Sequence, residues 1–385
     1  MAGFSSMDDF LSEVTVNGKF RRIDWNKNFL PTTAAVAGEW HCLFRGAGNP
    51  GADAIGNTGS NLTFQQLTDT TTNATGIQHG GNVSPDYKHI INASAFSAAA
   101  TTMPAILMLV DLLGFYRVTT TTTITAQSLT NTMATFSTFT ADAGTDVLTH
   151  TNINLFPYTR VRLTTTTTLP AGLATATDYY VIKVTDLTCK LATSYANAVA
   201  GTAIDVTDAG TGTHTINTIL PRYTSGAGVQ AFMWANNATP LGAATPNLSL
   251  PSYTNSAQST GRATPTVLPV GKTAAANGLI LYSGTGAGKY GPFMPLQAGD
   301  AGIAQADQVQ LSVSYVSGEF SLGLCRPLLY LPMTTIGVAS ERDLLNQVPS
   351  LPRIYDGACL VWLLYSGAAT PTNSAFAGHL DVAWG

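Results

Sequence analysis

Charge is scarce in this sequence. Its 385 residues carry 18 Lys and Arg with 22 Asp and Glu, 10% of the chain and a formal net charge of −4, where a soluble domain usually carries about 25%. That excludes a nucleic-acid binder working through a broad basic surface, so no direct nucleic-acid contact is expected. So little charge is a poor defence against association, and much of the surface is expected to lie under other protein. Long apolar runs are missing too. The longest, Met103 to Val110, stops at Asp111, far short of a membrane-spanning helix. The start, Met1 to Asp9, is acidic and lacks the basic and apolar stretches of a signal peptide. No membrane partner is expected. Four cysteines (Cys42, Cys189, Cys325, Cys359) are scattered without a Cys-x-x-Cys, which reads as buried free thiols made in a reducing cytosol.

Motifs that carry chemistry fail one by one. Gly271-Lys272-Thr273 has the end of a phosphate loop, but Thr266 stands where its first glycine is required. Gly284 to Lys289 is followed by Tyr290, where Ser or Thr must reach magnesium. Gly286 to Gly291 fits G-x-G-x-x-G, yet Pro292 and Pro295 follow where a dinucleotide fold needs a helix. The six histidines (His41, His79, His89, His150, His214, His379) show no metal-ligand spacing. No G-x-S-x-G elbow localises a serine nucleophile. Asp300, Asp307 and Glu319 read as turn and edge residues rather than a glycosidase pair. No catalytic residue, cofactor or metal ligand is assigned, and an enzyme is not expected.

What is present is β pattern. Val309, Leu311, Val313 and Tyr315 alternate with polar residues, Ser317-Gly318 supplies a turn, and Phe320, Leu322 and Leu324 resume the apolar face; the spacing predicts a hairpin. Phe376 to Trp384 alternates likewise, and Ala358 to Tyr365 is a continuous apolar run that reads as a strand buried on both sides. Trp40, Cys42 and Phe44 form a short alternating segment. Helices are expected over Asp8 to Val14, over Glu341 to Asn346 with Ser340 as cap and Pro349 as stop, and over Thr193 to Ala200 ending at Gly201. Residues 95–118 open Ala-rich, which favours helix, and read as strand after Pro104.

From Val118 to Thr218 the chain turns Thr-rich, with two five-residue runs, Thr119–Thr123 and Thr164–Thr168. Consecutive β-branched residues favour extended backbone over flexible linker. Residues 133–217 therefore read as a small β domain inserted into a discontinuous large domain, 1–132 with 218–385. Two sequential domains meeting near residue 218 are the alternative. The fold class is mainly β, an antiparallel β-sandwich of jelly-roll type carrying this insertion.

The one charge-dense segment is the first thirty residues. Asp8, Asp9, Glu13, Lys19, Arg21, Arg22, Asp24 and Lys27 are interleaved there with aromatics. One reading is a solvated helix followed by an edge strand. The other is an arm docking on a neighbouring subunit, with Phe4, Phe10, Arg21, Arg22 and Trp25 at the interface, since aromatic and arginine anchors dominate such contacts.

The stretch Leu169-Pro170-Ala171-Gly172-Leu173, followed by Asp178-Tyr179-Tyr180-Val181-Ile182, resembles the LPAGL…YYVI module of tailed-bacteriophage virion proteins. Lys190 to Ser194, Ala200 to Asp205 and Gly210 to Thr215 continue the match over roughly 60 residues. Leu220 to Tyr223, Arg326-Pro327-Leu328 and Glu341 to Gln347 also look like a phage structural protein. The resemblance implies a coat or coat-associated part, in head or tail alike. The long spine helix and extended loop of the common major capsid fold are missing, which favours a head-surface or decoration protein. Expected partners are its own copies, as a closed trimer, and other virion proteins; the expected location is the virion, after synthesis in the host cytoplasm. A tail tube or fibre component, or a receptor- or glycan-binding surface protein, is the alternative.

Overall fold

The structure is a computed structural model that describes residues 4–29, 37–52, 61–69, 76–98, 103–119, 124–236, 240–265, 271, 277–281, 292–347, 350–369 and 371–385. It is mainly β, every strand pairing between elements is antiparallel, and one set of strands closes into a barrel.

The spine is the strand Ala105–Thr119, whose residues 105 to 118 are almost all buried. On one side it pairs along its whole length with Glu319–Met333. On the other it pairs first with Leu360–Ser366 and then with Asn61–Gln66. Gln230–Ala235 and Glu39–Cys42 complete this inner sheet. An outer sheet runs in the order Ser340–Asp343, Lys88–Ser97, Ala375–Trp384, Phe20–Asn28, Gly48–Asn49.

One core lies between the two sheets, where Ile23, Trp25, Ile90, Leu380 and Val382 meet Leu107, Leu109, Leu331, Trp362 and Leu364. The opposite face of the inner sheet is covered as well, by side chains such as Leu250, Tyr253, Ile303 and Val309 from the small sheet Leu248–Asn255, Ile303–Leu311, Gln127–Ser128. A sheet covered on both faces needs apolar residues at successive positions, not alternate ones. That accounts for the unbroken run at Leu360–Ser366, whose first five residues are all buried.

The inner sheet also hides its edges. Residues 278–281 slot between its two outermost strands. Gly278 N–H donates to Ala235 O (2.8 Å) and Leu281 N–H to Met233 O (2.9 Å), while Ile280 N–H donates to Trp40 O (3.0 Å) and Cys42 N–H to Gly278 O (2.7 Å). Exposed ladder edges invite pairing with other chains; here the segment satisfies both.

Residues 134–218 supply all six strands of the closed barrel, ordered around it Arg160–Thr165, Tyr179–Lys183, Thr188–Ala192, Val147–His150, Ala134–Asp142, His214–Thr218. Alternate residues point inward, so Val161, Leu163, Tyr179, Val181, Cys189, Leu191 and Ile216 form a separate core. The chain enters and leaves at one place, since Ala134 is paired with Thr218. The LPAGL turn is fixed by Asp208, whose Oδ1 accepts from Ala171 N (2.8 Å) and Gly210 N (2.9 Å). Gly172 has φ +94°, and a Cβ there would meet Asp205 O at 2.2 Å, so only glycine lets the turn close. The helix Tyr195–Ala200, capped by Ser194 and ended at Gly201, lies where expected.

Three expectations need correction. Ile303–Leu311 and Glu319–Met333 do not form a hairpin; they belong to different sheets. Between them Tyr315 is fully buried, and the backbone at 312–315 packs against 242–247 instead of returning. Ser340 does not cap a helix. Ser340–Asp343 is a strand paired with Asn92 to Ala95, and the short helix Leu344–Gln347 that follows receives its cap from Asp343, Oδ1 accepting from Leu345 N at 3.0 Å. The Ala-rich stretch does not begin as a helix either: residues 95–97 end the strand Lys88–Ser97, where Ala93 and Ala95 are small enough to pack under the facing sheet, and residues 99–102 lie outside the described residues. Thr120 to Thr123 and Pro349 lie outside the described residues.

Asp111 interrupts the apolar spine strand and is fully buried. Arg222 meets it bidentately, Nε to Oδ2 at 2.8 Å and Nη2 to Oδ1 at 2.6 Å. The remaining partners are main chain: Cys359 N–H donates to Asp111 Oδ1 (3.0 Å), and Arg222 donates to Leu67 O (2.9 Å) and Leu112 O (3.3 Å). Removing one member of a buried pair strands the other without compensation. Arg222→Met is expected to lower unfolding free energy by about 3–5 kcal/mol, and adding Asp111→Leu should recover part of that loss. Equilibrium urea unfolding reads both, and a loss under about 1 kcal/mol for Arg222→Met would contradict the assignment.

Candidate functional site

The N-terminal segment is the candidate assembly surface, and its residues separate into two faces. The helix Met7–Thr15 starts at Ser6, whose hydroxyl accepts from Asp9 N at 3.0 Å. Its inner face carries Phe10 (5% exposed), which meets Phe4 edge-on at 5.1 Å and packs with Ile91 and Ala383. The strand Phe20–Asn28 pairs in register with Ala375–Trp384, from Phe20 opposite Ala383 to Asn28 opposite Ala375. On its other side, among the described residues, it pairs with the two-residue strand Gly48–Asn49. Trp25 points inward and lies 5.0 Å from Trp362 in the core between the sheets.

Phe4, Phe10 and Trp25, expected as anchors on a neighbour, are thus packed into this chain's own core. The reason is the i, i+3 and i, i+4 geometry of an amphipathic helix and the alternation of a one-sided strand, which turn those positions inward. Arg21 and Arg22 are both exposed. Arg22 is held to Asp381 by Nε–Oδ1 (2.8 Å) and Nη2–Oδ2 (2.9 Å). Burial alone would raise the Asp381 pKa, but hydrogen bonds from Arg22 and Asn92 outweigh it and hold the carboxyl below its ordinary value.

What the exposed side of this segment offers a neighbour is apolar. Met7 and Leu11 stand one helical turn apart and are each 48% exposed, with Val16 and Phe20 exposed beyond them. Met7, Phe10, Leu11 and Val14 follow i, i+3, i+4, i+7 spacing and share one side of the helix, with Phe10 and Val14 turned under it and Met7 and Leu11 on its exposed flank. Lys19 bridges Glu13 (2.9 Å) and Asp86 (2.7 Å), fixing the helix end to the body.

Elsewhere, titratable groups serve the fold. Asp300 accepts from Tyr253 Oη (2.5 Å), Asn255 Nδ2 (2.7 Å) and Arg262 Nε (3.1 Å); Asp307 accepts from Thr254 Oγ1 at 3.1 Å. All four cysteines are free and buried, and burial pushes the Cys189 thiol up to about 12. Among the described residues no group of three or more His, Cys, Asp or Glu could hold a metal ion, and no helix is long and apolar enough to cross a membrane. Apart from Gly271, the phosphate-loop candidates at 271–273 and 284–291 lie outside the described residues. No family model, curated protein or solved structure matches the chain.

Beneath this surface, Lys88 Nζ donates to His79 O (2.9 Å) and Gly81 O (2.6 Å) and lies 3.1 Å from His79 Nδ1, while His79 Nε2 is 3.1 Å from Ala358 O. The arrangement suits a neutral imidazole with its proton on Nε2. Burial, and then the Lys88 charge, push the His79 pKa from 6.5 down to about 3. The unfolded chain therefore binds a proton that the folded chain refuses between those values. The stabilisation is fully present above pH 6.5 and is lost as pH falls toward about 3. Each pH unit is worth about 1.4 kcal/mol, so His79 alone should remove about 2 kcal/mol between pH 6.5 and 5. Urea unfolding at pH 7 and pH 5 measures it, and His79→Gln should flatten the dependence; an unchanged slope would count against the neutral buried imidazole.

Proposed function

We propose that this chain is a structural protein of a tailed-phage particle, assembling with its own copies on or in the head as a coat or decoration subunit. Its stacked sheets would form a sandwich of jelly-roll type, and residues 133–217 an inserted domain that folds by itself. The observation that carries the assembly reading is the set of exposed apolar side chains Met7, Leu11, Val16 and Phe20, on the helix, its C-cap and the strand that follows, in a chain with few charges. Apolar side chains left exposed, with little charge to keep copies apart, favour association. The particle itself is implied by the LPAGL…YYVI resemblance, whose residues line the barrel.

Two substitution sets separate folding from assembly. Phe10→Ala and Trp25→Ala empty core positions and are expected to lower stability by about 3–5 kcal/mol. Leu11→Lys and Phe20→Lys should leave the melting temperature nearly unchanged while dissolving oligomers and abolishing incorporation into heads, because a buried apolar anchor can be worth about 2 kcal/mol per contact. Light scattering on purified protein, then mixing with expanded heads, reads this. A discrete trimer that binds heads is the expected result. Stacking hexameric rings would assign the chain to the tail, and unaltered incorporation of both Lys variants would remove these side chains from the interface.

Replacing 134–217 by a short Gly-Ser linker tests the inserted domain. Because Ala134 and Thr218 are already paired, the body should stay folded and keep assembling. Insoluble product would favour two sequential domains.

A further inference from the structure

A second site lies where the barrel meets the body. Phe156 from the barrel, Tyr223 just after its exit, Arg326 from the strand Glu319–Met333, and Arg353 with Tyr355 line a concave pocket of about 400 Å³. Its floor is aromatic. Tyr223 and Tyr355 meet edge-to-face at 4.7 Å, and Phe156 lies 5.9 and 5.8 Å from them.

Two guanidinium groups are held against this floor. Arg353 lies over the rings of Tyr87 (3.9 Å) and Tyr355 (4.3 Å). Arg326 lies 5.6 Å over Tyr223 and donates from Nη1 to Ala227 O at 2.9 Å. The position of Arg326 depends on its neighbour: Gly228 has φ +68°, and a Cβ there would come 1.1 Å from Arg326 Nη1. Stacking on rings fixes the plane of a guanidinium and leaves its N–H edge free for an acceptor.

Among the described residues no carboxylate lines the pocket to serve as that acceptor, and Arg353 Nε, itself closed to solvent, has no hydrogen-bond partner among them. The acids whose charge reaches Arg353 are engaged elsewhere, Asp186 by Lys183 at 2.6 Å and Asp356 by Val83 N at 3.2 Å. Lys183 adds a further positive charge that Arg353 feels. Burial lowers the Arg353 pKa, as it does for a cation short of a counter-charge. Leaving a buried guanidinium N–H without an acceptor is costly in a native structure.

We propose that this pocket binds the oxyanion of a small molecule, a carboxylate or phosphoryl group received by Arg326 and Arg353. The volume favours a small molecule over a bare side chain, since it falls in the range of small-ligand sites, about 300–1,000 Å³. Paired planar donors suit either oxyanion.

The test is titration of the full-length protein with inorganic phosphate, glucuronate and, as the neutral control, glucose, read by calorimetry and melting temperature. Phosphate, glucuronate or both should bind and raise the melting temperature, with glucose silent and binding weakened by salt. A response to phosphate alone identifies the phosphoryl group, and one to glucuronate alone the carboxylate. Arg353→Gln and Arg326→Gln should each weaken binding at least tenfold, and Gly228→Ala should do so by displacing Arg326 while both arginines remain. Circular dichroism confirms that each variant is folded. Absence of binding by the folded wild-type protein overturns the proposal, as does equal affinity in the variants. Failure of every probe together with an oligomeric state altered by Arg353→Gln also overturns it, and gives the pocket to a carboxylate of a neighbouring copy. None of these outcomes depends on whether the chain belongs to a phage particle.

Discussion

A carboxylate in the middle of a strand buried on both faces is the constraint around which the chain is arranged. Asp111 lies where Ala105–Thr119 changes partner from Leu360–Ser366 to Asn61–Gln66, and it has no access to water. Taking that charge out of solvent is tolerable only with close compensation. Arg222 provides it, and in doing so joins the spine, the carbonyl of Leu67 and the segment leaving the barrel; the amide of Cys359 completes the set. The pair acts as a locator more than as a source of net stability, because desolvation offsets most of its Coulomb gain. Any other register of these strands would leave one of the two ions unpartnered.

From that point outward the architecture is a matter of covering faces and edges. The inner sheet is apolar on both sides and therefore needs the outer sheet on one and the small sheet with its loops on the other. Residues 278–281 cover its edges. The barrel attaches beside Arg222, with Phe156 N donating to Thr224 Oγ1 (3.0 Å) and Gln66 Nε2 donating to Ile219 O (2.6 Å). The Arg326–Arg353 pocket opens at this same joint.

Much of the local structure was legible in the sequence, and most pairings were not. Phe376 to Trp384, Ala358 to Tyr365, the helix at Met7–Thr15 and the one ending at Gly201 follow from periodicity and caps. The alternation expected over 309–324 holds at Val309 and Leu311 but fails at Val313, which is exposed, and at 320–325, which is buried throughout; and period two never tells which strand lies beside a residue. Ser340-Glu341-Arg342-Asp343 has the local look of a helix start and became a strand because Asn92 to Ala95 offers it a ladder. The phage resemblance rests on sequence alone. The paired arginines had no local signal, since Arg326 and Arg353 come from separate strands. The nearest to one was an arginine beside a proline in each case, Arg326-Pro327 and Pro352-Arg353, in a chain with few charges.

Scarcity of charge has its sharpest consequence in where the cations go. Lys27 is buried and gives its ammonium to the carbonyls of Phe44, Gly46, Pro50 and Gly51. Lys88 is buried against His79 and Gly81, and Arg222 against Asp111. Each fixes a loop or a joint by gathering main-chain oxygens that would otherwise need water. Cations buried this way leave fewer charges on the surface to hold neighbouring copies apart. Apolar contact is not directional, and specificity must then come from how rigidly the contact is presented. The Lys19 bridge to Glu13 and Asp86, with Phe4 and Phe10 beneath the helix, supplies that rigidity to Met7 and Leu11. Phe4, Phe10 and Trp25 shape the contact surface from below without being part of it.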